Sequence, residues 1–301
     1  MTKPRIGFIG VGFMGHGMAK NILEKGFPLT IMGNRNRAPV EDLVGRGASE
    51  VKTPRDVAAA SDIVFICVTD SPTVEKIIRD ADGVKAGAHK GLIVVDCSTA
   101  NPVSTEVLAQ ELAEVGVDFA DAPLGGTPAQ AETGQLSAMV GAEPQVFARI
   151  EGAIGAWASK IVHLGPVGAG HKMKLLNNFL SMGYAAIYAE ALAIGQKVGI
   201  SVETFDSVVR GGRMDCGFYQ TFMGYVLEGN ENSHKFTLSN GAKDLRYVDA
   251  MANAAQVANP ISSAAKNLFA QAVGAGNGNK FVPMIADFVA ESNGFTRKTK
   301  G

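Results

Sequence analysis

The stretch Arg5-Ile6-Gly7-Phe8-Ile9-Gly10-Val11-Gly12-Phe13-Met14-Gly15 decides the fold. Its first half is a short apolar run of strand character, and Gly10, Gly12 and Gly15 then form a GxGxxG pattern. In such a pattern the first glycine permits the tight turn, the second lets backbone approach a pyrophosphate, and the third lets a helix pack on the strand. The helix that follows points unpaired N–H groups and a partial positive charge at an anion. GxGxxG alone is weak in a chain with 36 glycines, where a turn without a ligand is the plain alternative. Context strengthens it. The motif follows a strand directly, opens an amphipathic helix carrying Met14, Met18, Ile22 and Leu23, and is followed by a second apolar run from Leu29. Residues 5 to about 34 therefore read as a dinucleotide cradle.

Outward from the cradle, strand-like runs at 5–9, 29–32, 62–68, 92–96 and 117–120 alternate with helix-period segments near 14–25, 39–46, 72–79 and 102–115. Such alternation predicts βαβ units and a mostly parallel sheet. A strand at 136–140, a helix from Pro144 to about Ala158 and a last strand at 160–164 complete this half. The second half changes character. Residues 170–198 read as one helix about 40 Å long. It is apolar nearly all round, which predicts burial by other helices. Helical patterns continue at 202–210, 214–228, 241–257, 260–274 and 281–292, and no strand is expected after Leu164. The expected fold is α/β: an N-terminal Rossmann domain over 1–165, then an all-helical domain over 166–301 joined by a long buried inter-domain helix. The basic tail 296–301 is expected to fray.

With 301 residues, 46% hydrophobic and 19% charged, the chain has the profile of a globular protein. A net charge of −1 gives no drive toward nucleic acid or an anionic membrane. Three widely spaced cysteines, Cys67, Cys97 and Cys216, imply no disulfide framework and fit a cytoplasmic setting. No signal peptide or membrane-spanning run is expected. The five histidines form no HxxxH or HExxH pattern and CxxC is absent, so no metal is expected. His171 beside the hinge is either a contact to substrate or cofactor phosphate or an ordinary loop histidine.

Where the second strand ends, an NAD enzyme usually carries an acid for the ribose diol. Here the segment is Met32-Gly33-Asn34-Arg35-Asn36-Arg37, and the first acid is Glu41. No carboxylate is placed to repel a 2′-phosphate, which favours NADP, with NAD as the alternative. Arg35 and Arg37 as solvated loop charges remain the plain reading. In the long helix, Lys174, Asn178 and Ser181 share one face by spacing. They are either a chemical stripe or a solvated helix end.

Four motifs in order, GFIGVGFMG at 7–15, DCSTANP at 96–102, DAPLGGTPAQAETGQL at 121–136 and GAGHKMKLLNN at 168–178, resemble the β-hydroxyacid dehydrogenase family, and FTLSNGAKDL at 236–245 extends the likeness. The resemblance covers essentially the whole chain; the family includes 3-hydroxyisobutyrate dehydrogenase and tartronate semialdehyde reductase, and the local pattern looks closest to the sulfolactaldehyde reductase branch. It implies that Lys174 is the general acid/base and Asn178 its partner. It implies cofactor contacts at Gly10, Val11, Gly12, Phe13, Met14, Gly15, Asn34, Arg35, Val68, Thr69, Val74, Thr99 and Lys243. It implies substrate contacts at Ser98, Leu124, Gly125, Gly126, Thr127 and Lys243. The pattern departs from the family at the ribose end, where an extra Gly33 precedes Asn34-Arg35 and leaves the register open by one residue, and in the acid-binding motif. Gly125 replaces the family's serine, and Gly126 stands where the sulfonate-binding branch has arginine; Arg213 is the one candidate to restore that charge. The implied activity is hydride transfer between nicotinamide and a small 3-hydroxy acid or its semialdehyde. Such a lysine works near neutrality only with a pKa lowered from about 10.4. Alternatives are a sulfonated or four-carbon semialdehyde reductase, an imine reductase, or a dinucleotide-binding scaffold without catalysis. The family assembles as homodimers or homotetramers.

Overall fold

The computed structural model describes residues 3–297. The chain divides into two compact units, Met1–Lys174 and Leu175–Gly301.

In the first unit, strands β1 (Ile6–Ile9), β2 (Leu29–Met32), β3 (Ser49–Val51), β4 (Ile63–Ile66), β5 (Ile93–Asp96) and β6 (Asp118–Asp121) pair in parallel in the order β3-β2-β1-β4-β5-β6. Helices α1 (Gly15–Glu24), α2 (Ala38–Gly45), α3 (Pro54–Ala59), α4 (Ser71–Arg79) and α5 (Pro102–Ala113) alternate with them. After β6 come β7 (Leu124–Gly125), α6 (Pro128–Glu132), β8 (Leu136–Gly141), α7 (Pro144–Ile154) and β9 (Ala158–Gly165). β8 runs antiparallel to β6 and β7 and parallel to β9. β1 and β4 are buried at every position, as expected for strands covered on both faces. Two apolar clusters result, one around Phe8, Phe65 and Trp157 and the other around Ile9, Val64, Ile66 and Leu108.

The sequence pattern does not show β3, α3, β7 or α6. β3 is a three-residue edge strand, Ser-Glu-Val, with two exposed positions, so it shows no apolar period. α3 is six residues long, too short to show an apolar period; its marks are the N-cap, where Thr53 accepts from the Asp56 N–H, and Pro54 in its first turn.

α8 (Ala169–Lys197) begins in the first unit and runs into the second, whose other helices are α9 (Val202–Val209), α10 (Gly217–Glu228), α11 (Leu238–Ala254), α12 (Pro260–Ala272) and α13 (Ile285–Ser292). The expected all-round burial of α8 is corrected. Met182, Ala185, Ala189 and Leu192 are buried on one face, but Leu180 is 52%, Ile187 56% and Ile194 57% exposed on another. The second unit's core centres on Tyr219, Phe222, Leu245 and Phe269. The fraying expected from 296 is corrected at Arg297, and 298–301 lie outside the described residues. Arg297 is only 6% exposed, pairs with Asp287 at 2.7 Å and donates to the Val226 carbonyl.

Candidate active site

The parallel register sets Ile9, Ile66 and Asp96 level with one another. The segments that follow, at Gly10, Cys67 and Cys97, therefore emerge side by side at the carboxyl edge of the sheet. β1 has β2 on one side and β4 on the other, so the chain order reverses there. That is where open α/β sheets form their ligand crevice.

The three glycines divide their labour. Gly10 has φ +102°, and a Cβ there would stand 2.1 Å from the Cys67 carbonyl oxygen. A Cβ on Gly15 would stand 2.0 Å from the Gly10 oxygen. Both positions are closed by backbone. A Cβ on Gly12 would meet nothing within 4 Å. Gly12 therefore serves no packing need, and its open space is what close approach of a pyrophosphate requires. The residues present fit a dinucleotide. Val11 and Met14 pack into the core beneath, while Phe13 is 91% exposed.

At the ribose end, Asn34 Oδ1 accepts from the Arg35 N–H, and both residues are exposed. Arg37 is held in a two-pronged pair with Glu50 at 2.6 and 2.8 Å. A Cβ on Gly33 would lie 2.3 Å from Arg37 Nη1, so the glycine makes room for that pair. Arg37 is thus committed to Glu50, and Arg35 is the arginine left to meet a 2′-phosphate.

Beyond β4 and β5, Val68 is partly exposed and Thr69 exposed. Two expected contacts change meaning. Val74 is fully buried in the core and presents no surface to a cofactor. Ser98 is 2% exposed, and its hydroxyl accepts from the Val68 N–H at 3.0 Å. Ser98 therefore ties the two strand ends together, leaving part-exposed Thr99 as the outward residue of the segment.

The loop expected to hold the substrate's acid group lies at β7. Thr127 and Gln130 form a reciprocal cap of α6, in which the Thr127 N–H donates to Gln130 Oε1 at 2.9 Å. That N–H is occupied, so the expected cradle narrows to Leu124–Gly126. Gly126 has φ +126°, and a Cβ would stand 2.8 Å from Leu136. Any arginine at this position would carry both backbone strain and a clash. Gly125 pairs with Ser137 across the strands, and Ser137 Oγ lies 2.4 Å from where a Gly125 Cβ would be.

Lys174, half-buried, sits in the first turns of α8. Asn178, one turn on, is 7% exposed and donates to Asp244 Oδ2 at 2.6 Å. Asp244, 1% exposed, also lies 3.2 Å from Lys243 Nζ, an ion-pair contact off the hydrogen-bond direction. Sequence reasoning singled out Asn178 and Lys243 but missed the buried acid joining them. The adjacent Lys-Asp of the 236–245 motif was the available signal. Arg213 is exposed in the loop after α9.

Comparison with known proteins accords with this geometry. Residues 5–165 match the family described as the NAD binding domain of 6-phosphogluconate dehydrogenase, and residues 168–286 match the NAD-binding domain of NADP-dependent 3-hydroxyisobutyrate dehydrogenase. Over 205 residues, 68% of each chain, the sequence is 38% identical to the 2-(hydroxymethyl)glutarate dehydrogenase of Eubacterium barkeri. It is 28% identical to the 3-sulfolactaldehyde reductase of Escherichia coli, over 98% of this chain and 99% of that one. A solved 3-hydroxyisobutyrate dehydrogenase from Salmonella typhimurium superposes with a TM-score of 0.80 at 25% identity, covering 94% of this chain and 99% of that one.

Proposed function

The chain belongs to the β-hydroxyacid dehydrogenase family and is an NAD(P)-dependent oxidoreductase, and from that premise we propose how its residues divide the work. Gly10 to Gly15 hold the pyrophosphate, and Arg35 favours NADP over NAD. When bound, the nicotinamide supplies or accepts a hydride. Lys174 gives a proton to the substrate oxygen in reduction and removes it in oxidation, as a positioned general acid/base does. Asn178, aligned by Asp244, orients that oxygen. Leu124 to Gly126, with Lys243, hold the acid group and fix the reacting carbon, which is positioning rather than chemistry.

The open Cβ position at Gly12 is the observation that carries this reading. An open Gly12 between two glycines that backbone closes points to a bound dinucleotide, and Lys174 with Asn178 sets an enzyme apart from a dinucleotide-binding scaffold. The substrate is a small carboxylate, a 3-hydroxy acid or its semialdehyde. Gly126, whose φ of +126° and closeness to Leu136 exclude a side chain, argues against a sulfonate gripped by a side chain there. We place the end of the cofactor-binding part at 165, where β9 ends, although the first turns of α8 up to Lys174 group with it in the first compact unit.

Assay with NADPH and NADH against 2-(hydroxymethyl)glutarate, 3-hydroxyisobutyrate, 4-hydroxybutyrate, glycerate, the corresponding semialdehydes and 3-sulfolactaldehyde tests the reading. We expect a carboxylate to give the highest kcat/KM, with NADPH preferred. A clear NADH preference overturns the cofactor assignment, and absence of any cofactor turnover favours the scaffold.

The exposed apolar face of α8 supports a homodimer or homotetramer, and unpaired cysteines support a cytoplasmic setting. Among the described residues no helix is long and apolar enough to cross a membrane.

A further inference from the structure

At the start of α8 lies a polar cluster that packing alone does not require. The His171 ring is fully buried. Its Nε2–H donates to the Ser98 carbonyl at 3.1 Å, and its Nδ1 meets the Thr105 hydroxyl at 2.8 Å. The His171 backbone N–H donates to Asp121 Oδ2 at 2.6 Å, and the Gly168 N–H donates to Oδ1 at 2.6 Å. Asp121 is 0% and Asp96 1% exposed, and their carboxylates lie 3.8 and 3.9 Å from the ring nitrogens. Asp96 in turn accepts from the Ser98 N–H at 2.9 Å.

Burying a ring and two carboxylates costs free energy unless their hydrogen bonds are made. The surrounding chain is shaped to make them. A Cβ on Gly141 would stand 2.4 Å from Asp121 Oδ1, and one on Gly170 would stand 2.8 Å from Oδ2. Two glycines thus clear the space that this carboxylate fills. Burial also removes the expectation that His171 touches substrate or phosphate, because the ring offers no surface to a ligand.

What the ring joins gives it a role. Ser98 precedes Thr99 at the end of β5, Asp121 leads into the acid-binding loop, and Lys174 lies three residues after His171 on the same side of α8. We propose that His171 is a positioning residue for the reaction. It fastens the first turn of α8 to the Ser98 carbonyl and so sets the distance between Lys174 and the Ser98–Thr99 segment. The proposal rests on the reading of Lys174 as the proton donor. It touches no reacting atom itself.

The test compares His171→Ala, His171→Gln and Lys174→Ala, using the fastest substrate of the panel above and amide exchange over residues 168–174. A misplacement of about 1 Å can cost about 10²-fold in rate. His171→Ala is therefore expected to lower kcat by roughly 10- to 100-fold. The KM for NADPH should stay within about twofold, and exchange at 168–174 should quicken. In His171→Gln the side-chain amide still reaches the Ser98 carbonyl, so most of kcat should return. The proposal is overturned if His171→Ala keeps kcat within about twofold of wild type. It is equally overturned if Ala and Gln variants lose kcat, cofactor KM and Tm together, which marks plain packing. Lys174→Ala separates the two readings. If it keeps near-wild-type turnover, the proton-donor reading fails. If it is inactive while His171→Ala is unimpaired, only the positioning role fails.

Discussion

The glycines of the cradle show how one residue type serves two ends. Gly12→Ala adds a methyl group that meets no protein atom, so Tm should hold within about 1 °C while the KM for the cofactor rises at least tenfold. Gly15→Ala drives a methyl group into the Gly10 carbonyl and should lower Tm by several degrees even without cofactor. Equal loss of Tm in both variants would contradict this division. GxGxxG was legible in the sequence because its spacing is fixed by the ligand. The separate duties of Gly12 and Gly15 were not, since they depend on which backbone atoms fold up against them. The thiols make a similar case. Burial pushes the Cys67 thiol up to about 12 and Cys97 well above its ordinary value, whereas Cys216 is exposed. At pH 7.5 a thiolate reagent should modify exposed Cys216 quickly, partly exposed Cys67 slowly because its thiol stays protonated, and buried Cys97 only after unfolding. Two fast thiols would contradict the burial.

Among the elements, the β2–α2 connection carries the proposed preference for NADP. Arg35→Ala should raise the KM for NADPH by about tenfold and leave that for NADH within about twofold, since one lost charge-assisted hydrogen bond is worth roughly 1.5–3 kcal/mol. An equal change for both cofactors would remove Arg35 from the 2′-phosphate. The sequence showed two arginines and no acid here. It did not show that Glu50, on the unrecognised edge strand β3, takes Arg37. β3 was illegible because an exposed three-residue strand buries too little apolar surface to impose a period. α8 failed in the opposite sense. Its composition signals burial all round, yet its apolar face at Leu180, Ile187 and Ile194 is exposed in the single chain. A pattern of apolar residues says that a face avoids water, not which surface covers it. Ile187→Glu should therefore shift the protein to monomer in light scattering; an unchanged mass would contradict a contact through α8.

For the molecule as a whole, charge pairing predicts how stability depends on pH. Asp42, Glu50, Asp62, Glu111, Glu132 and Asp249 have carboxyl pKa values held below their ordinary 3.8 or 4.5, chiefly by hydrogen bonds to Arg46, Arg37, Arg5, Arg79, Lys20 and Lys266. A lowered folded pKa gives stability that is complete above the unfolded value and is lost as pH falls through the folded one. The urea midpoint should be level near pH 6 and decline below about pH 4.5, and less steeply in 1 M salt because most of these pairs are exposed. Asp121 acts in reverse. Burial raises its pKa, so its contribution favours the folded state as pH falls and softens the decline. A midpoint unchanged down to pH 3 would contradict the pairing. The two-part plan itself was legible, because alternating strands and helices give way to helices alone near residue 165. The buried joints, Asp244 with Asn178 and His171 with Ser98, were not, because residues 66 and 73 positions apart in sequence meet only in the fold. The central claim is that Lys174 moves the substrate's proton, and the most direct test is steady-state kinetics of Lys174→Ala with the fastest carboxylate substrate. A fall in kcat of about 10²-fold or more, with cofactor affinity within about twofold, is the predicted result; turnover near that of the wild type would contradict it.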